Sequence, residues 1–139
     1  TNPAGGRAGV GKYVVLVTDG MPNLKSSTTE AIDAFIARHP SAEWFTSGSH
    51  RYERNAVLMR TWMMQQKGWQ VYPVGVGLAA DRTLLDRAAR LAQTALVDTN
   101  DPTGAGVSNY ATGNPGLYPS RLQAIFQAIV DTPKLSLAR

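Results

Sequence analysis

Apolar residues recur along the chain in strand-like runs and helical stripes by turns. Tyr13–Val17 is an unbroken aromatic, β-branched and aliphatic run, so Lys12–Thr18 is expected to be a strand. A continuous run, unlike strict alternation, suits a strand buried on both faces of a parallel sheet. Asp19-Gly20 and Pro22-Asn23 set a turn at its carboxyl end. Ala31, Ile32, Phe35 and Ile36 form one helical stripe. Ser26–Thr29 offers its N-caps, Ser27 and Glu30 have capping-box spacing, and Pro40 stops it. Residues 40–50 are rich in Ser, Thr and Gly and read as a loop with Trp44 and Phe45 exposed. Tyr52–Gln66 lacks Gly and Pro and reads as a second helix, with Gly68 as its stop.

Trp69–Val76 is the next expected strand, carried by Val71 and Val74 and weakened by Pro73 and Gly75. Asp81 has the place of an N-cap, and Leu84, Leu85, Ala88, Leu91 and Ala92 follow with helical spacing. Ala95–Asp98 is a short strand candidate. Residues 99–118, dense in Gly, Pro and Asn, read as a long loop. Ser120 is expected to cap a last helix bearing Leu122, Ile125, Phe126, Ile129 and Val130, ended by Pro133. Lys134–Ala138 alternates like a final strand. Residues 1–11 read as a flexible Gly-rich lead-in to a single domain over 12–139. Phe126, Ile129, Leu85 and Leu91 are the expected core residues of the last two helices.

The order strand–helix–helix–strand–helix–strand–helix predicts an α/β fold, a doubly wound and mostly parallel sheet with helices on both faces. Ligands of such sheets sit at the carboxyl ends of strands, which is where Asp19 falls.

Composition narrows the chemistry. With 139 residues, 43% hydrophobic and 17% charged, the chain has a globular balance rather than that of a disordered one. No apolar run nears the roughly 20 residues of a membrane span. Residues 1–12 carry no signal-peptide pattern. The absence of Cys excludes disulfide scaffolds, thiolate metal sites and cysteine nucleophiles. The net charge of +4 permits an anionic partner. The densest cations, Arg51, Arg54 and Arg60, have the pattern of a solvated helix face, so no nucleic-acid partner is expected.

Several motifs fail on context. Gly6–Lys12 fits G-x-x-x-x-G-K, but Tyr13 stands where Ser or Thr is needed and a strand follows instead of a helix. Gly75-Val76-Gly77 meets Ala80 at the third glycine position of a dinucleotide fingerprint. Ser47-Gly48-Ser49-His50 is not a nucleophile elbow, and His39 and His50 lack zinc spacing. Thr18-Asp19-Gly20 has two readings. A carboxylate at a strand's end offers a hard oxygen to Mg²⁺ or Ca²⁺. Alternatively, Asp19 only caps its own turn. Spacing does not choose between them.

Tyr13–Asn23, with its T-D-G-M-P-N loop, resembles the fourth strand and following loop of the von Willebrand factor type A (vWA) domain. Val71–Gly77 is similar to the family's v-y-a-v-G-v-G strand. Leu122-Gln123-Ala124-Ile125-Phe126 resembles its closing L-x-x-I-F helix. The resemblance runs through the chain from residue 12. It implies the carboxyl-terminal half of such a domain, lacking its first strands. It also implies a partial metal-ion-dependent adhesion site in which Asp19 is the residue carried over as ligand of Mg²⁺, Ca²⁺ or Mn²⁺, held weakly or not at all by this chain. The family's D-x-S-x-S motif does not occur here, and Arg51–Met64 with the Trp44–Tyr52 loop makes the segment after Asp19 longer than usual.

Within the family the wording is most like bacterial Flp or tight-adherence pilus-assembly proteins. That implies an extracytoplasmic place in the cell envelope, with membrane attachment only through segments outside this chain. The function so implied is a non-enzymatic adhesion module taking a protein ligand through its carboxylate. A structural half-domain without metal and an unrecognised α/β hydrolase are the competing classes. A sheet without its first strands exposes the edge and face of Lys12–Thr18, so a homodimer or a missing amino-terminal half is the expected partner.

Overall fold

A computed structural model describes residues 11–77, 79–94, 109–111 and 114–131. The order is β1 (Tyr13–Thr18), α1 (Thr29–Arg38), α2 (Arg51–Gln66), β2 (Gln70–Val76), α3 (Arg82–Ala92), β3 (Asn109–Ala111) and α4 (Tyr118–Asp131), the last entered through a 3₁₀ turn at Pro115–Leu117. The chain is thus α/β with a parallel sheet, ordered β1-β2-β3 among the described residues. β1 runs beside β2 from Tyr13↔Gln70 to Thr18↔Gly75, and β3 pairs with Val74–Val76. Pro73 is accommodated in the middle strand because β3 begins one residue beyond it.

The helices centre on β2. Ile125 and Ile129 of α4 close over Tyr72 and Val74, with Tyr118 and Leu122 beside them. α2 and α3 also pack on β2, and their main cluster joins Ile32, Phe35, Trp44, Phe45, Leu58, Met59 and Leu84. Among the described residues β1 is left at the edge. Its residues alternate between exposed and half-buried, so the expectation of burial on both faces is corrected: Tyr13, Val15 and Val17 face outward.

Local chemistry sets the helix ends. Thr28, not Ser27, caps α1: its hydroxyl accepts from the Ala31 N–H at 3.1 Å. Ser27 instead accepts from Arg60, so the capping box is not formed. Gly68, at φ +79°, ends α2 as expected. The Trp69 N–H reaches the Met64 carbonyl and the Gly68 N–H that of Gln65, the paired bonds of a Schellman ending. α4 begins at Tyr118, before the expected cap: Ser120 lies in its first turn and donates to the Leu117 carbonyl.

Four further expectations change. Trp44 and Phe45 are buried, not exposed, because the loop folds onto α1, α2 and α3. The buried Asn55 amide both accepts from the Phe45 N–H at 2.8 Å and donates to the Phe45 carbonyl at 2.9 Å. Phe126 is 39% exposed and Leu91 half-buried, whereas Leu85 and Ile129 are buried as expected. β3 lies at Asn109–Ala111, within the stretch read as loop. The lead-in at 1–10 and the strand candidates Ala95–Asp98 and Lys134–Ala138 lie outside the described residues.

Candidate functional site

The carboxyl ends of β1 and β2 stand side by side, since Thr18 pairs with Gly75. The chain leaves β1 through a tight turn in which the Thr18 hydroxyl lies 3.3 Å from the Gly20 N–H, its donor. Asp19 projects from this turn and is exposed. Among the described residues no hydrogen bond or ion pair engages its carboxylate. The Asp81 N–H reaches back to the Gly20 carbonyl at 3.4 Å, tying the turn after β1 to the loop after β2. Met21–Asn23, Gly77 and Ala80 therefore border the same edge of the sheet.

Asp81, the other carboxylate here, is committed to structure. Its Oδ1 accepts from the Leu84 N–H at 3.2 Å, capping α3 as its position predicted. Its Oδ2 receives the Arg54 Nε–H at 2.7 Å, in a pair whose side chains are 17% and 4% exposed. Removing either partner would leave a buried charge unbalanced. Arg54 also lies over the Phe45 ring at 4.9 Å, and Arg87 lies over the same ring at 4.0 Å.

Tyr118, the first residue of α4, completes the edge. A β-carbon at Gly77 would lie 3.2 Å from the Tyr118 hydroxyl, and Gly77 has φ +78°, so this glycine serves both the turn and the approach of the tyrosine.

The arginines expected to form one solvated face are dispersed instead. Arg51 donates to the Thr46 carbonyl and the Tyr52 hydroxyl, Arg54 to Asp81, and Arg60 to Ser27. Neither histidine is near the strand ends: His39 closes α1 against the Phe35 and Trp62 rings, and His50 precedes α2 in a left-handed conformation. Glu43 lies across the molecule in a two-point contact with Arg90 at 2.5 and 2.8 Å. That hydrogen bonding, aided by the charges of Arg90 and Arg87, holds the Glu43 carboxyl below its usual range against the opposing effect of burial.

The donor set decides whether this edge fits a divalent cation. Mg²⁺ or Ca²⁺ needs at least six oxygens. Here Asp19 supplies an unengaged carboxylate, the Thr18 hydroxyl turns back to Gly20, and Asp81 is bound to Arg54. Among the described residues no group of three or more His, Asp or Glu can hold a metal ion. These residues alone do not fit such a cation. Nor is any helix among them long and apolar enough to cross a membrane.

Sequence reasoning placed Asp19 and Asp81 but missed the Arg54–Asp81 pair and the packing of Tyr118 on Gly77. Both join residues from different elements, 27 positions apart for the ion pair, with no local spacing to betray them. No protein-family model, curated protein or solved structure matches the chain.

Proposed function

We propose that the chain is a protein-binding module of the vWA type, built on a doubly wound sheet, whose recognition edge is the carboxyl end of β1. The observation that carries this reading is Asp19: an exposed carboxylate, unengaged among the described residues, at the carboxyl end of a parallel strand where such sheets bind ligands. A divalent cation at this edge would take Asp19 as one ligand and need further oxygens from another segment or chain. A D-x-S-x-S polypeptide is the donor the vWA resemblance implies. No bond is made or broken in this function. The arrangement would suit adhesion at a bacterial cell envelope, including pilus assembly, with the ligand contributing a carboxylate.

A structural role without metal is the second reading. The observation favouring it is that Asp81, the neighbouring carboxylate, is fully used by Arg54 and the α3 terminus.

Calorimetric titration with Mg²⁺, Ca²⁺ and Mn²⁺ separates the two. The adhesion reading expects weak binding by the chain alone and at least about tenfold tighter binding when a D-x-S-x-S polypeptide is added, because ligand number sets affinity. Asp19→Ala should remove both without lowering the melting temperature. Cation binding that survives Asp19→Ala refutes the assignment, and no gain from the added polypeptide favours the structural role.

A further inference from the structure

Among the described residues the turn that carries Asp19 is held from outside at one point. Both bonds of the Thr18 hydroxyl, to the N–H and the carbonyl of Gly20, lie within the turn. A β-carbon at Gly20 would meet nothing within 4 Å, so open space lies where a side chain would pack. The one hydrogen bond that reaches Asp19 or Gly20 from another element comes from the Asp81 N–H, 3.4 Å from the Gly20 carbonyl. A bond of that length is weak and depends on where its donor stands.

Capping α3 does not require the charge that Asp81 brings. Asn or Ser caps a helix about as well as Asp, without the cost of burying a carboxylate. The second oxygen makes the difference. Oδ1 accepts from the Leu84 N–H and fixes Asp81 only to its own helix, whereas Oδ2 accepts from Arg54 Nε–H at 2.7 Å and fixes it to α2. Arg54 is itself confined. Its guanidinium lies 4.9 Å over the Phe45 ring, and the Phe45 peptide is held by Asn55, the next residue of the same helix. The Nε–H contact and the ring contact together suit Arg and not Lys, which places a methylene where Nε stands.

We propose that Arg54 is a positioning residue for the recognition edge. Acting through Asp81, it holds the N–H that fixes the Gly20 carbonyl, and so sets where the turn presents Asp19. The purpose of this positioning rests on the proposed role of Asp19; the positioning itself does not.

Amide hydrogen exchange and ¹⁵N relaxation of the labelled chain test it with no ligand present. Arg54→Met alone leaves the Asp81 carboxylate buried and unpaired, so it mixes positioning with lost stability. The deciding variant combines Arg54→Met with Asp81→Ser. It removes both charges, keeps an apolar side chain against Phe45 and keeps a residue that caps α3. Its melting temperature should lie closer to the parent's than that of Arg54→Met. The protection factor at position 81 should still fall about fivefold relative to that of the buried Ala89 amide, the scale of one neutral hydrogen bond. The heteronuclear NOE of Asp19 and Gly20 should fall with it. Arg54→Lys, which keeps the charge balance and with it the fold, should reproduce part of both losses. A merely stabilising pair predicts parental protection and NOE in both variants, and that result overturns the inference. So does an Asp81 amide without protection in the parent. These outcomes leave the Asp19 reading intact, whereas cation binding that survives Asp19→Ala overturns that reading and leaves the positioning intact.

Discussion

Asn55→Ala is expected to be among the costliest changes in the protein, although Asn55 touches no candidate ligand. Its side chain is fully buried and makes both hydrogen bonds of the Phe45 peptide, at 2.8 and 2.9 Å. Truncation removes a neutral donor and acceptor and strands their backbone partners. A buried polar group left without a partner costs about 1–3 kcal/mol, so the two together give about 2–6 kcal/mol, the lower end applying if water enters from the exposed Thr46 side. The loop also carries buried Trp44 and Phe45 into the core, so its release should loosen α1, α2 and α3 together.

Urea unfolding followed by tryptophan fluorescence measures the loss, with Trp44 reporting the loop directly. Asn55→Asp refines the test. A protonated carboxyl offers one donor and one acceptor, as the amide does, whereas the ionised form sets a buried charge against the Phe45 carbonyl. The folded-state pKa of that carboxyl should therefore lie above its unfolded value of about 3.9. The variant should be most stable below that value and lose stability as pH rises through the folded pKa. A cost below about 1 kcal/mol for Asn55→Ala would show that the Phe45 peptide finds other partners and would refute the reasoning.

Ile129→Ala, at a buried site against Tyr72 and Val74, should cost about 2–5 kcal/mol in denaturant unfolding, while Phe126→Ala at its exposed position should cost less than half as much; equal losses would contradict the packing of α4. Gly77→Ala should destabilise by about 1–2 kcal/mol because it forces a side chain at φ +78°. Part of that loss should disappear in a Tyr118→Phe background, where the 3.2 Å contact with the hydroxyl is gone, and a double-mutant cycle without coupling would exclude the contact. Glu43→Gln should weaken the fold only by up to about 1 kcal/mol, since both members of the Arg90 pair are substantially exposed. Because the folded-state pKa of Glu43 lies below its ordinary 4.5, the parent's advantage should be present above that pH and vanish as pH falls through the lowered value. An advantage that grows on acidification would reverse the assignment.

Sequence alone determined the features set by neighbours along the chain. The β1 run, the Asp81 cap of α3, the Gly68 ending of α2 and the position of Asp19 at a strand's carboxyl end each depend on a few consecutive residues. So did the α/β alternation, because strand and helix periods differ within a single turn. Tertiary structure decided what those residues meet. The Trp44–Phe45 loop read as exposed from its polar surroundings, but an amide ten positions away and two arginines from different helices draw it inside. Phe126 kept the spacing of its buried neighbours yet lies outside the strip that reaches β2, since an apolar stripe wider than its contact leaves its margin in water. β1 reads as a fully buried strand, and its composition is that of one. Only the sheet order among the described residues shows it at an edge with one face open, because burial depends on what lies on either side of a strand and not on the strand itself.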